Sequence, residues 1–197
     1  MTPMAPDDER VLVARLRAGD TGAFDQVYDA YRPRVFAFLL RMTRSRTVAE
    51  DLLDETWLRL VRHAARLLPD TRLGPWLFTV ARNLYWSQRR DALVEESSVT
   101  ELLTLWPSSA PWPSPFDLTA AGELERRVER ALSTLSPQYL EVVLLVGHEG
   151  LTPTEAAVMC GISPEALRQR LSRARAALAE RLRETPAVAA LKKGLAT

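Results

Sequence analysis

An acidic, proline-rich segment in the middle of the 197-residue chain places the strongest limit on its fold. Pro107, Pro111, Pro113 and Pro115 follow one another closely, and proline cannot join the backbone hydrogen bonding of a helix interior. Residues 91–125 also contain seven acidic side chains and neither lysine nor arginine, whereas the sequence on either side is mildly basic. The segment therefore predicts a linker between two units, and only the flanking units have the charge to bind a polyanion.

Cysteine, histidine and apolar spacing exclude several classes of protein. Cys160 is the only cysteine, so no internal disulfide forms, and the two histidines have no partner at metal-ligand spacing. No apolar run approaches the roughly 20 residues of a membrane span, and the N-terminus lacks the parts of a signal peptide. We therefore expect a cytoplasmic protein with no membrane contact of its own, no cofactor and no metal. An enzyme is the least expected class, because no nucleophile–base pair or phosphate-binding loop is present.

Residues 73–90 combine aromatic and basic side chains on a predicted helix. One face, apolar and expected to be buried, consists of Leu77, Val80, Ala81 and Leu84. A second stripe, about a quarter-turn away, alternates rings with guanidinium groups at Phe78, Arg82, Tyr85 and Arg89. The same chemistry extends to Trp76, Trp86 and Arg90. Rings that stack on bases, among cations that hold phosphates, suit unpaired nucleic acid, although spacing alone equally permits a core helix with a solvated basic face.

The residues before this segment predict further helices. Pro33 lies inside a helical pattern and is expected to kink or break the helix near Arg32. Thr47 and Glu50 have the spacing of a capping box that begins the next helix. The buried stripe predicted for that helix consists of Leu53, Trp57, Leu60, Val61 and Ala64. Its early acids fit either an ordinary charge-graded surface or a docking face for a basic partner.

The C-terminal third predicts a helix-turn-helix. Three helix starts share a hydroxyl residue followed by proline, at Ser136-Pro137, Thr152-Pro153 and Ser163-Pro164. Gly161 permits the turn between the last two helices, and Ala157, Ile162, Leu167 and Leu171 are expected to form their seam. The exposed arc near the start of the second helix consists of Glu165, Arg168, Gln169, Ser172 and Arg173. Such residues reach base edges and later arginines hold phosphate, while the alternative is a helical hairpin that binds no DNA.

Three segments, taken in order, resemble the sigma factors of bacterial RNA polymerase, in the small extracytoplasmic-function (ECF) group of the sigma-70 family. Val48–His63 resembles the segment that binds core polymerase, and Gly74–Asp91 resembles the segment that melts and reads the −10 promoter element. Leu135–Leu178 resembles the domain that reads the −35 element. The resemblance covers about residues 10–92 and 123–183. It implies an all-α fold in which two small helical domains, a region 2 bundle and a region 4 helix-turn-helix, are joined by a flexible linker.

The resemblance also implies a division of the chain. Residues 1–92 correspond to region 2 and residues 123–183 to region 4. Between them, residues 93–122 form the acidic linker, which contains proline and tryptophan. Residues 184–197 form a short tail without a recognisable motif.

Site residues follow from the positions that match the family's motifs. The surface for core polymerase consists of Glu50, Asp51, Asp54, Glu55 and Trp57. The −10 DNA surface includes the loop Leu67–Leu73, which corresponds to the family's base-capturing loop, and consists of Asp70, Arg72, Trp76, Arg82, Asn83, Trp86 and Arg90. The −35 DNA surface consists of Thr152, Glu165, Arg168, Gln169, Arg170, Ser172, Arg173 and Arg175. Val48, Ala166 and Gln169 depart from the residues common in the family, so one polymerase contact and the −35 sequence are expected to differ.

The function implied is promoter-specific initiation of transcription. The partners expected are core RNA polymerase, promoter DNA (duplex at −35, single-stranded at −10) and an anti-sigma factor. Two alternatives remain at this point. One is a helix-turn-helix regulator that acts on duplex DNA without serving as a polymerase subunit, and the other is an inactive sigma mimic that sequesters a partner.

Overall fold

The computed structural model describes residues 6–96 and 120–184, and every secondary-structure element within these ranges is helical. The chain divides into two compact units, residues 1–100 and 101–197. The all-α architecture expected from the sequence is confirmed. In the described ranges no helix is both long and apolar enough to cross a bilayer, and no group of three or more acidic, histidine or cysteine side chains could hold a metal ion.

The N-terminal unit is built around three long helices that pack on one another. Its described helices are α1 (Pro6–Arg17), α2 (Thr21–Thr43), α3 (Arg46–His63) and α4 (Leu73–Glu96), with a short 3-10 helix at Ala64–Arg66. The rings of Phe38 on α2 and Phe78 on α4 meet edge to face, with centroids 5.6 Å apart, and both are buried. Burial of one such side chain stabilises a fold by about 1.5–3 kcal/mol, so this pair joins α2 firmly to α4.

Helix α2 continues through Pro33, and the expected break near Arg32 is absent. The helix begins after Asp20, whose carboxylate accepts a hydrogen bond from the Ala23 N–H at 3.2 Å. Val27, Tyr31 and Val35 lie on its buried face on both sides of the proline, while Pro33 itself is exposed. Packing of that face therefore outweighs the cost of an interior proline, which is about 3 kcal/mol.

Helix α3 begins two residues earlier than the capping box predicted. Arg44 ends α2 in the left-handed conformation, at φ 56°, and directs Ser45 into an extended conformation. The Ser45 hydroxyl then accepts a hydrogen bond from the Val48 N–H at 3.4 Å. The prediction that Thr47 caps this helix is wrong, and Glu50 instead accepts a hydrogen bond from Nε of Arg46 at 2.9 Å. Two hydroxyl residues competed for the cap, and the left-handed turn before Ser45 decided between them.

The C-terminal unit contains the helix-turn-helix. Its described helices are α5 (Ala120–Ser133), α6 (Pro137–Val143), α7 (Pro153–Cys160) and α8 (Pro164–Glu184), with a π-helical turn at Leu144–His148. Helix α8 packs against α5, α6 and α7. Leu167 and Ala157 are fully buried in the seam and Leu171 nearly so, as predicted, while Ile162 is only half-buried.

Local hydrogen bonds begin the helices of this unit. Thr152 and Glu155 form the predicted capping box: the Glu155 N–H donates to Oγ1 of Thr152 at 3.2 Å, and the Thr152 N–H donates to Oε2 of Glu155 at 2.8 Å. The Ser163 hydroxyl accepts from the Ala166 N–H at 3.1 Å. Ser136 also occupies a cap position, but its hydroxyl makes no cap hydrogen bond. Gly161 takes the left-handed conformation, at φ 65°, that the turn requires.

The helix ends differ slightly from the predicted division of the chain. Helix α4 continues to Glu96, beyond the predicted boundary at residue 92, and α5 already begins at Ala120. The rest of the predicted linker, 97–119, and the tail from 185 onwards lie outside the described residues. The linker and tail therefore stay predictions.

Candidate functional site

The outward face of α3 is acidic in its first half and apolar in its second. Asp51 and Asp54 are exposed, whereas Glu55 is half-buried and pairs with Nε of Arg59 at 3.0 Å. Leu58 and Val61 are about half exposed on the same face, two and three turns further along. In the predicted buried stripe, Leu53, Trp57 and Leu60 are buried, whereas the prediction for Val61 is wrong and Ala64 is only half-buried.

Trp57, predicted as a surface residue for core polymerase, lies beneath that surface. Only 5% of its side chain is exposed, and its ring packs against Tyr28 and Phe24 of α2, with centroids 4.8 Å and 6.0 Å away. The earlier acid Glu50 is exposed, and its ion pair with Arg46 is exposed as well. The face available to a partner therefore consists of the acids together with Leu58 and Val61, and the tryptophan joins α3 to α2.

The loop Leu67–Leu73 connects the 3-10 helix to α4. Leu67 and Leu73 are buried at its two ends, while Asp70 and Arg72 between them are exposed. The Thr71 N–H donates to the Leu68 carbonyl at 3.0 Å and closes a tight turn. The loop thus has two fixed ends and a tip that projects polar side chains outward.

The end of this loop is held by a residue that sequence reasoning missed. Oε1 of Glu9, on α1, accepts a hydrogen bond from the Leu73 N–H at 2.7 Å and a second from the Tyr31 hydroxyl at 3.3 Å. Burial raises the pKa of Tyr31 to about 12, and the charge of Glu9 acts in the same direction, so the hydroxyl keeps its proton and donates. No local pattern could have revealed Glu9, because its main partner is 64 residues away.

Helix α4 carries a face of aromatic and polar side chains. Trp76 and Trp86 are half-buried and Asn83 and Arg90 are exposed, at spacings of seven, three and four residues that place all four on one side. Arg82 lies at the edge of this face, with Nη1 donating to Oδ1 of Asn83 at 3.0 Å. The structure thus brings together the α4 residues that the sequence predicted for single-stranded DNA.

The predicted second stripe of α4 is partly wrong. Phe78 and Tyr85 are buried, so neither ring can stack on a base. Tyr85 instead holds the edge of Trp86, with ring centroids 5.2 Å apart, and its hydroxyl accepts from Nη1 of Arg89 at 3.4 Å. The inward face is wider than predicted because α4 packs against both α2 and α3. The accessible rings are therefore Trp76 and Trp86.

Helix α8 presents a polar arc opposite its packed face. Leu167, Leu171 and Ala174 are buried, while the exposed arc consists of Glu165, Arg168, Gln169, Ser172, Arg173 and Arg175. Arg170 is half-buried and lies toward the packed side. The Thr152 hydroxyl, also predicted for the −35 DNA surface, is bonded to Oε2 of Glu155 at 2.8 Å within the capping box. The exposed arc of α8 has the arginine and glutamine groups that can bond guanine and adenine in the major groove.

Comparisons with known proteins agree with this arrangement. The family model described as Sigma-70 region 2 matches residues 27–92, and the one described as Sigma-70, region 4 matches residues 125–178. RNA polymerase sigma factor CarQ of Myxococcus xanthus is 36% identical over 170 residues, which are 86% of this chain and 95% of CarQ. ECF RNA polymerase sigma factor EcfG of Rhodopseudomonas palustris is 31% identical over 150 residues, which are 74% of this chain and 77% of EcfG.

A solved structure is similar in fold. It is the sigma factor RpoE in complex with the anti-sigma factor NepR from Bartonella quintana, at a TM-score of 0.70 and 27% identity. The match covers 82% of this chain and 98% of that one. The helical arrangement described above is therefore one that a sigma factor adopts.

Proposed function

This chain belongs to the sigma-70 family, in its extracytoplasmic-function group, and from that premise we propose how its surfaces share the work of starting transcription. The chain is a sigma factor that directs RNA polymerase to promoters, rather than a regulator that acts on duplex DNA alone. Sigma factors are not enzymes, and the polymerase that they serve carries out the chemistry.

The first surface binds core polymerase. Glu50, Asp51 and Asp54 form its acidic part on α3, and Glu55 is turned toward Arg59. These acids suit a basic helical partner, because opposite charges across an interface speed association and fix its orientation. Trp57 supports the surface from below by holding α3 against α2.

The second surface binds the separated −10 strand. Asp70 and Arg72 on the loop lie next to an unstacked base, and Trp76 and Trp86 offer rings to its neighbours. Arg82, Asn83 and Arg90 add hydrogen bonds to the strand. Stacking of a base on an aromatic side chain contributes about 1–3 kcal/mol, which offsets the cost of unstacking it from the duplex.

The third surface reads the −35 duplex with the exposed arc of α8. Arg168, Gln169 and Arg173 lie near the start of the helix, where a recognition helix meets base edges. Arg175, later in the helix, contacts phosphate, and Glu165 and Ser172 complete the arc. Arg170 lies at the edge of the arc. Thr152 contributes indirectly, by capping the start of α7.

The aromatic face of α4 is the single observation that carries this proposal. A helix-turn-helix regulator reads paired DNA and has no need of two accessible tryptophans beside Asn83 and Arg90 on a separate unit. A protein that holds an opened strand needs such a face. With this function we expect the protein to act in the cytoplasm, where polymerase and chromosome meet, and to carry out no covalent step of its own.

The similarity to a sigma factor solved with its anti-sigma factor extends the proposal to regulation. We expect an anti-sigma factor to hold this chain inactive. Its binding would compete with core polymerase.

Run-off transcription tests the proposal. Purified core polymerase and this protein are given the promoter upstream of the protein's own gene and, in parallel, a random-promoter library. The wild-type protein should give specific transcripts. A variant with Trp76→Ala and Arg82→Ala should lose most of them, because loss of the Trp76 ring alone lowers strand affinity about tenfold. Arg17→Ala is the matched control, since Arg17 is an exposed arginine of the same unit that lies on α1 and not on α4.

Three outcomes would count against the assignment. Equal transcription by the double variant would show that α4 does not bind the −10 strand. Loss of transcription with Arg17→Ala alone would show that the loss of any arginine from this unit has the same effect. Failure of the wild-type protein to bind core polymerase would return the chain to the regulator class.

A further inference from the structure

One carboxylate joins three helices of the N-terminal unit at the point where the loop Leu67–Leu73 meets α4. Oε1 of Glu9 accepts hydrogen bonds from the Leu73 N–H of α4 and from the Tyr31 hydroxyl of α2, at 2.7 Å and 3.3 Å. Leu73 and Tyr31 are buried and Glu9 is half-buried. Hydrogen bonds to a charged acceptor in such a place are stronger than those between neutral groups.

The residue that precedes α4 cannot cap the helix with its side chain. The residue before the helix is Arg72, whose side chain carries donors only and cannot accept a hydrogen bond from a helix N–H. Its carbonyl accepts from the Trp76 N–H at 3.0 Å, and Pro75 has no N–H to satisfy. The Leu73 N–H is thus bound by a residue from another helix, where most helices use a neighbour in sequence.

Tyr31 packs closely against the start of α4. A Cβ atom added at Gly74 would lie 3.2 Å from Cε1 of Tyr31, so the α4 backbone rests directly on the ring. The guanidinium of Arg34 lies over the ring, 5.4 Å from its centroid. The ring therefore packs between the start of α4 and Arg34, and a shift of the first turn of α4 toward the ring would produce a clash.

We propose that Glu9 is a positioning residue for capture of the −10 strand: by anchoring Leu73 it fixes the distance between the loop tip and Trp76. The inference rests on the proposed function of the loop and of α4. It adds a residue that the region 2 match does not contain, because that match begins at residue 27. Glu9 touches no DNA in this role, and it acts through Leu73 and Tyr31.

The test compares variants of the full-length protein assembled with core polymerase. Glu9→Ala removes the acceptor, while Glu9→Gln keeps an oxygen that can accept from the Leu73 N–H. Tyr31→Phe keeps the ring against Gly74 but removes the hydroxyl. Asp8→Ala is the matched control, since Asp8 is an exposed acid one residue away on the same helix.

Two measurements are made on each variant. The first is hydrogen exchange of the amides in residues 67–73 in the free protein, which reports the anchor without DNA. The second is the affinity of the holoenzyme for a labelled single strand that carries the −10 sequence selected by the wild-type protein from a random library, with and without the loop-bound base. Core affinity and −35 duplex affinity are measured alongside.

Glu9→Ala should speed exchange at Leu73 and lower strand affinity about tenfold, the usual effect of losing a hydrogen bond to a charged group. Glu9→Gln keeps an uncharged acceptor, so strand affinity should fall by about threefold, and Asp8→Ala should leave both exchange and strand affinity unchanged. Removing the loop-bound base should weaken the wild-type holoenzyme but weaken Glu9→Ala little further, because the loop no longer holds the base in place. Tyr31→Phe should lie between the two Glu9 variants.

The inference is overturned if Glu9→Ala leaves both exchange and strand affinity unchanged. It is also overturned if core and −35 affinities fall as much as strand affinity, or if the effect of removing the base stays at its wild-type size, because Glu9 would then be a general structural residue. Failure of the proposed function looks different. In that case the wild-type holoenzyme itself would be insensitive to loss of the base and to Trp76→Ala, while exchange at Leu73 would still depend on Glu9.

Discussion

The two units fix the starts of α4 and α8, the helices that we propose to face DNA, by different means. In the C-terminal unit, α8 is begun by its nearest neighbours in sequence: Ser163 caps it, Gly161 makes the turn before it, and the capping box at Thr152 begins α7, one of the three helices that it packs against. In the N-terminal unit, α4 is placed by residues far away along the chain, through Glu9 and Tyr31. Loss of a local cap is therefore expected to affect the helix that it begins, whereas loss of a long-range contact affects every helix that the contact connects.

The largest loss of stability confined to one unit is expected from a substitution in the core of the N-terminal unit. Phe38→Ala should lower the free energy of unfolding of that unit by about 3–5 kcal/mol, because a fully buried ring that packs against Phe78 is lost. Strand binding and core binding should fall together. Hydrogen exchange followed residue by residue should show faster exchange in α2–α4 and no change in α8.

The control for this change is Leu68→Ala, which removes an exposed apolar side chain from the same unit. It should leave stability nearly unchanged. If Phe38→Ala speeds exchange in α8 as much as in α4, the two units do not unfold separately and the comparison fails.

Substitution of a glycine by alanine in each unit is expected to have an intermediate effect on stability. Gly161→Ala should lower the stability of the C-terminal unit by about 1–2 kcal/mol through backbone strain alone, because φ is 65° and no atom lies within 4 Å of the added Cβ. Gly74→Ala should cost a similar amount through its contact with Tyr31. Denaturant unfolding checks both values.

The two costs differ in their dependence on other residues. With Tyr31→Leu already present, the cost of Gly74→Ala should shrink, because the smaller side chain leaves room for the Cβ. The cost of Gly161→Ala should be the same in both backgrounds. A Gly74→Ala cost that ignores Tyr31 would mean that the close contact does not hold the helix start.

The smallest effect is expected at the cap of α7. Thr152→Ala should lower stability by about 1 kcal/mol, because the Glu155 N–H loses its side-chain acceptor. Thr152→Ser keeps the hydroxyl and should retain most of that stability. Thermal unfolding gives the difference, and strand binding by α4 should be identical in both variants. A change in strand binding would contradict the local nature of this device.

The sequence predicted the C-terminal unit better because its signals are short-range. A cap and its partner are three residues apart, so Thr152 with Glu155 and Ser163 with Ala166 can be recognised without knowledge of the fold. The same logic failed at Thr47, where Ser45 was an equally good candidate and the left-handed turn at Arg44 decided.

The N-terminal site was only partly predicted, because its arrangement depends on contacts between residues that are far apart in the sequence. Periodicity identified the helix and its rings, but it could not show that α4 packs against two helices and buries Phe78 and Tyr85. Likewise the helix pattern could not separate the exposed Val61 from the buried Trp57. Glu9 gave no signal at all, since the meaning of that residue depends on a partner whose place is set by the finished fold.

The bond from Glu9 to Leu73 has a consequence for anyone who treats this protein as a set of exchangeable modules. The segment matched as region 2 begins at residue 27, so a chimaera spliced there would inherit the loop Leu67–Leu73 and lack Glu9, the residue that anchors it. A graft that starts at Pro6, the first residue of α1, carries both partners of the bond. The transferable unit is larger than the segment that sequence similarity outlines.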